Sequence, residues 1–186
     1  MFTQTLKGSF LIAMPHMMDG RFAHSLVYLC EHSEEGAMGL IVNKPLVGVN
    51  FGEICRQVDL PVPEAPEPLV YYGGPVYPER GFILHSTEYP VDSGTLQVSP
   101  SICLSANQAL LKDIVEGYGP EKFLLAMGYS GWRPGQLENE IGNDDWLVLP
   151  ADDQVIFDVS NEQKWRTAAK LHGIDLSMIS NNTGTA

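Results

Sequence analysis

Apolar residues in this chain come only in short runs. The longest reach five residues, as in Phe10–Met14, closed by Pro15, and Phe123–Met127, closed by Gly128. Such runs suit strands buried on both faces and fall far short of the roughly 20 apolar residues that a membrane-spanning helix needs. Further strand-like segments lie at Ser25–Cys30, Met38–Val42, Leu69–Tyr72 and Gly81–His85, and again at Thr95–Val98, Ile102–Leu104, Trp146–Leu149 and Val155–Val159. They cluster instead of alternating one for one with helices, which predicts an α+β fold and not a doubly wound parallel sheet. The 186 residues suit one domain covering 1–186, a size at which folding buries about 70% of the exposed surface without help from disulfides or metals.

Helices are marked by their caps. Asn50 with Glu53 has capping-box spacing, as do Ser105 with Gln108 and Ser160 with Gln163. The second box predicts a helix over Ala106–Glu116 with Leu110, Leu111, Ile114 and Val115 on its apolar face. The third opens a helix in which Trp165, Ala168, Ala169 and His172 share a side and Gly173 ends the run. A shorter helix is expected over Pro134–Ile141, with the proline in its first turn. Four prolines within residues 61–68 predict a stiff surface loop, and Ser180–Ala186 reads as a frayed tail.

Charge limits the partners. Eleven Lys and Arg face 23 Asp and Glu, a net charge of −12, and such a field repels a polyanion unless a basic patch offsets it. The densest basic stretch, Lys164, Arg166 and Lys170, reads as a solvated helix face beside Glu162. Direct nucleic-acid binding and anionic membranes are therefore disfavoured. The N-terminus has no basic stretch followed by a long apolar core, and Cys30, Cys55 and Cys103 form no CxxC pair. Both features predict a cytoplasmic protein.

The chemistry-bearing motifs are weak one by one. His16, His24 and His32 recur every eight residues. His24 and His32 bracket a strand and so lie roughly 26 Å apart, and no metal or cofactor is expected. Gly128-Tyr129-Ser130-Gly131-Trp132 approaches a nucleophile elbow but has Trp132 where the motif requires glycine; it reads as a glycine-rich turn presenting Tyr129 and Trp132. Glu138 and Glu140 would diverge on a helix, because residues two apart face nearly opposite sides. Cys30 sits among Glu31, Glu34 and Glu35, which disfavour its thiolate. Asn43-Lys44-Pro45 and Gly73-Gly74-Pro75 end strands, where glycines permit close backbone approach and Lys44 could hold an anion.

Taken together the segments resemble the AlgH/YqgE family. The matching pieces include Phe10-Leu-Ile-Ala-Met-Pro15, Ser25-Leu-Val-Tyr-Leu-Cys-Glu-His32, Gly36-Ala-Met-Gly-Leu-Ile-Val-Asn-Lys-Pro45 and Gly73-Gly-Pro75. Arg80-Gly-Phe-Ile-Leu-His85, Gly128-Tyr129 with Trp132, Gly135-Gln-Leu-Glu-Asn-Glu-Ile141, Trp165-Arg and Ala168-Ala-Lys-Leu171 continue in family order. The resemblance implies a bent, split, largely antiparallel sheet closing towards a pseudo-barrel, in a bacterial cytosolic protein of a family labelled as transcriptional regulators. Similar proteins often carry alanine where this chain has Ser130, which counts against a serine nucleophile. The expected function is a non-enzymatic regulatory role exerted through a small ligand or a protein partner. The alternative is a small hydrolase or transferase using Glu138, Glu140 or Ser130. The candidate binding surface joins Asn43, Lys44, Gly73, Gly74, Trp132, Gln136, Glu138 and Glu140, polar and glycine positions at strand ends, where sites tend to be built.

Overall fold

A computed structural model describes residues 4–179; the predicted tail at 180–186 lies outside them. The strands are β1 (Ser9–Ala13), β2 (Leu26–Ser33), β3 (Gly36–Ile41), β4 (Val70–Tyr72), β5 (Val76–Ser86), β6 (Thr95–Gln97), β7 (Ile102–Ser105), β8 (Phe123–Trp132) and β9 (Trp146–Pro150). The helices are α1 (Phe51–Gln57), α2 (Gln108–Glu116), α3 (Gln136–Gly142), α4 (Asp153–Phe157), α5 (Asn161–Lys170) and α6 (Leu176–Ile179). The strands form one curled, largely antiparallel half-barrel in the order β6-β7-β5-β8-β3-β2-β1-β9, with β4 joining β8 in parallel. Among the described residues no helix is long and apolar enough to cross a membrane.

The five-residue apolar runs arise because both faces of the sheet are covered. Phe10 and Ile12 of β1 enter one core with Val155 and Ile156 of α4 and Trp165 of α5. The intervening Leu11 and Ala13 enter a second core with Trp132, Leu137 of α3 and Trp146. A third core packs Ile83 and Leu125 against Phe51 of α1 and Leu110 of α2.

Strand β8 organises the curl. Its first half pairs with β4 and β5, through Tyr72↔Met127 and Phe82↔Ala126. Its second half pairs with β3, through Gly39↔Ser130 and Ala37↔Trp132. The change from β4 to β3 falls at Gly128, whose φ of +72° bends the strand, while β5 stays paired on the other edge as far as Val76↔Tyr129. The expected glycine-rich turn at 128–132 is therefore the continuation of a strand.

Other local expectations are also revised. Residues 155–157 belong to helix α4, not to a strand, because the Asp152 side chain accepts from the backbone N–H groups of Gln154 and Val155 and starts a helical turn there. Helix α2 is capped by Asn107, whose side chain accepts from Leu110 N; the Ser105 hydroxyl is committed elsewhere. Ser160 occupies the N-cap of α5 but makes no side-chain cap bond. Helix α3 starts at Gln136 behind an N-cap Gly135 at φ +74°, which leaves Pro134 outside. His172 is exposed beyond the end of α5, whereas Trp165, Ala168 and Ala169 are buried. The box at Asn50 and Glu53 forms as expected.

Lys164 is not on a solvated face. It is 2% exposed, donates from Nζ to the Val42 carbonyl at 2.9 Å and lies 4.9 Å from the centroid of the Tyr71 ring. Among the described residues it joins no ion pair. Burial lowers its pKa from 10.5 to about 8, since leaving water disfavours the ammonium. Between those values the unfolded chain binds more protons than the folded one, so stability rises with pH across that window. Relative to Lys164→Met, the wild type is expected to gain at most about 3 kcal/mol as pH rises from about 8 to about 10.5, with no such trend below pH 7. Urea denaturation of both proteins across this pH range measures the difference, and parallel profiles would show that Lys164 titrates normally.

Candidate functional site

The two strand-end turns meet. Ile41 N donates to Gly73 O at 2.9 Å and Tyr72 N donates to Lys44 O at 2.8 Å. Asn43 is occupied on both ends of its amide: Oδ1 accepts from Leu26 N at 2.8 Å, and Nδ2 donates to His24 O at 2.9 Å. Lys44 Nζ donates to Arg21 O at 3.2 Å. Burial lowers the Lys44 ammonium, against a smaller upward pull from the Asp19 charge. Gly73 and Gly74 are buried against β8, and a Cβ at either would come closer than 3.0 Å to backbone atoms of Gly128 or Tyr129. These four residues thus hold the fork of the sheet together. Asn43 and Lys44 also border a pocket of about 420 Å³ shared with Asn161, Trp165 and Arg166 of α5.

The other four candidates gather around α3. Helical geometry sends Glu138 and Glu140 to different partners. Glu140 Oε2 accepts from both indole N–H groups, Trp132 Nε1 and Trp146 Nε1, each at 2.9 Å, while Oε1 accepts from Gln136 Nε2 at 2.9 Å. Glu138 Oε1 lies 2.6 Å from His32 Nε2. His32 Nδ1 accepts the Leu6 N–H at 2.8 Å, so Nε2 carries the proton and donates to Glu138. Desolvation works to raise the Glu138 carboxyl, but the His32 hydrogen bond, its backbone bond and the nearby His32 hold it below the usual range. Ser130 is fully buried and donates to Gly73 O at 3.1 Å. None of the three residues named for hydrolysis converges with another on a free space.

A larger free space lies in the half-barrel, a cleft of about 1020 Å³. Its floor includes Met38, Phe82, Leu96, Leu104 and Tyr129. Lys7, Arg80 and Arg133 line it, together with Glu31, Glu35 and His32. Of the eight sequence-derived candidates, Trp132 lines this cleft; the other seven brace the walls around it or stand apart. The three cations went unrecognised because they lie on separate segments that only the curl of the sheet brings together.

His85 has partners that its isolated position in the sequence did not reveal. Nδ1 faces Ser86 O at 3.0 Å, and a carbonyl can only accept. The ring therefore donates there, and Nε2, 2.9 Å from Ser105 Oγ, accepts the serine proton. Thr95 Oγ1 lies 2.9 Å from the same hydroxyl and 3.1 Å from Asp92 Oδ1, so its one proton is shared between two acceptors. Burial lowers the His85 pKa, opposed by its bond to Ser86. This is the local geometry of an activated serine, but His85 and Ser105 are 0% and 2% exposed. Ser105 pairs with Ile83 in the sheet, which places its side chain on the α2 side, while the residue itself also borders the cleft. The chain of bonds ties β5, β6 and β7 together. Among the described residues no three His, Cys, Asp or Glu side chains form a cluster that could hold a metal ion.

The AlgH-like family model matches residues 10–177. A UPF0301 protein of Afipia carboxidovorans is 44% identical over 192 residues, covering 99% of this chain and 91% of that relative. Another, from Chromobacterium violaceum, is 45% identical and covers 98% of both chains. The solution structure of the AlgH protein from Pseudomonas aeruginosa has a TM-score of 0.80 at 40% identity, covering 100% of this chain and 98% of that one. A crystal structure of a Corynebacterium diphtheriae protein, at 23% identity and TM-score 0.74 with 97% and 99% coverage, shares the fold.

Proposed function

The chain belongs to the AlgH-like family, and from that footing we propose that it is a non-enzymatic regulatory protein that acts by holding a small ligand in the half-barrel cleft. The observation that carries this reading is the contrast between the cleft and its surroundings. Glu138, Glu140, Ser130 and Asn43 each spend their hydrogen-bonding groups on the protein itself, whereas the cleft offers about 1020 Å³ with an apolar floor and charged walls. Ligand sites are concave, mostly apolar and fitted with a few polar groups, and barrel mouths are a common place for them. Trp132 stands in this reading as the one original candidate that touches the ligand; the other seven shape or support the fold.

The hydrolase alternative is disfavoured by the same bonds, since Glu138, Glu140 and Ser130, the residues it relies on, do not share a free space. Direct DNA contact is disfavoured by the charge of −12 and by the dispersal of the cations. Arg21, Lys112 and Lys122 pair with carboxylates, Lys164 is buried, and Lys7, Arg80 and Arg133 turn to the cleft. The test is an NMR titration of the isotopically labelled chain with fractionated small molecules from a bacterial extract. Shifts at the amides of cleft glycines Gly36, Gly94 and Gly131, with none at Gly48, Gly117 or Gly173, are expected. A low-salt gel shift should show no DNA complex at micromolar protein. Tight DNA retention, or turnover of an ester or glycoside panel, would overturn the reading.

A further inference from the structure

We propose that the cleft is built for a small organic anion bearing a single negative charge on an apolar body, in chemical class a medium-chain carboxylate. This rests on the reading of the cleft as the binding site and adds the chemistry of its occupant. The head would lie among Lys7, Arg80 and Arg133, with the body along Met38, Leu96 and Leu104.

The first argument is the unspent charge. Carboxylates outnumber cations by 23 to 11, so a cation in this protein has an excess of possible partners. Among the described residues Lys7, Arg80 and Arg133 form no ion pair, as most of the cations do not, but these three line the same cleft. They lie in sequence before β1, within β5 and just after β8, so their place on one cleft is a product of the fold and not of local composition.

The second argument is the charge count. Against three cations the cleft sets Glu31 and Glu35, which leaves a surplus of one positive charge. The His32 ring adds none, because its Nδ1 accepts the Leu6 N–H. A balance of one suits a monoanion; a polyphosphate or nucleic acid would meet the two carboxylates and the field of −12 behind them. The third argument is shape. The Arg80 guanidinium lies 5.3 Å from the centroid of the Phe82 ring, and such stacking holds the planar fork in place while its edge stays available to a carboxylate. The floor below is apolar, which a bare inorganic anion would leave unused.

The experiment uses the fluorescent probe 8-anilinonaphthalene-1-sulfonate, a monoanion on an aromatic body, and its displacement by decanoate or decan-1-ol. Saturable one-to-one probe binding is expected, with decanoate at least about tenfold more effective than the alcohol, since a charge-assisted bond commonly contributes that much. Arg80→Gln and Arg133→Gln should each weaken decanoate about tenfold without altering the melting temperature. Arg56→Gln, with the same change in net charge at a position outside the cleft lining, should leave it unchanged. The amides of Gly36, Gly94 and Gly131 should shift with decanoate. Equal competition by the alcohol, or insensitivity to both arginine variants, would overturn the monoanion inference while leaving the cleft as a binding site. Absence of any shift at the three cleft glycines with every compound and extract fraction would overturn both.

Discussion

Replacing Gly74 with alanine is expected to destabilise the chain by about 5 kcal/mol, at the top of the range seen for single substitutions. Gly74 sits at the fork where β8 exchanges β4 for β3, with φ at +154°, a conformation that L side chains rarely adopt. A Cβ there would come closer than 3.0 Å to the carbonyl group of Tyr129 and the nitrogen of Ser130. Those are backbone atoms in a paired strand, so no side chain can rotate out of the way. Relief requires β4 and β8 to separate, which would also break the bonds from Gly73 N to Met127 O and from Ser130 Oγ to Gly73 O. Gly48 supplies the control. Its φ is +83° and a Cβ would meet nothing within 4 Å, so Gly48→Ala should cost only about 1 kcal/mol, the intrinsic cost of that backbone region. Urea denaturation of the two variants measures both values. A Gly74→Ala variant within about 1 kcal/mol of Gly48→Ala would mean that the fork opens easily.

How much of this was readable from the chain depends on whether the determinant was local. Strands such as Phe10–Ala13 were legible because both faces are covered and every position is apolar. The capping box at Asn50 was legible because both partners lie within one turn. The divergence of Glu138 and Glu140 followed from helix geometry alone. The second half of β8 is hidden because Gly128, Ser130 and Gly131 carry ordinary turn signals, and only the approach of Gly74 explains why Gly128 is small in a buried part of a strand. Helix α4 is not legible because five residues make little more than one turn, too few for an apolar period to repeat. Lys164 was placed in solvent because its acceptor, Val42 O, lies 122 residues away. The cleft was the least legible feature. Its cations at positions 7, 80 and 133 share no motif, and their convergence depends on the sheet closing towards a barrel.

The carboxylate of Glu140 joins three elements, and its removal tests whether the wall of the cleft depends on it. Trp132 ends β8 and Trp146 begins β9; their rings meet edge to face at 5.9 Å, and both indoles donate to one oxygen of Glu140 on α3. Gln136 donates to the other oxygen and accepts from Arg133 N, which fixes the turn into the helix. Alanine at 140 would leave two indole N–H groups and one amide without their acceptor in a partly buried place, so a loss of about 4 kcal/mol is expected. Glutamine retains one acceptor oxygen but turns an amide N–H₂ group towards donors, and should recover only about half of that loss. Because the bonded groups are indoles, tryptophan emission reports on them directly. Glu140→Ala should shift emission to longer wavelength below the unfolding transition, while Trp165, whose Nε1 donates to Ala13 O in another core, stays unchanged. Since Trp132 also lines the cleft, the same variant should weaken the probe used to test the monoanion site, although Glu140 is not among the residues lining it. Unchanged emission and stability in Glu140→Ala would show that the indoles find water as readily as the carboxylate.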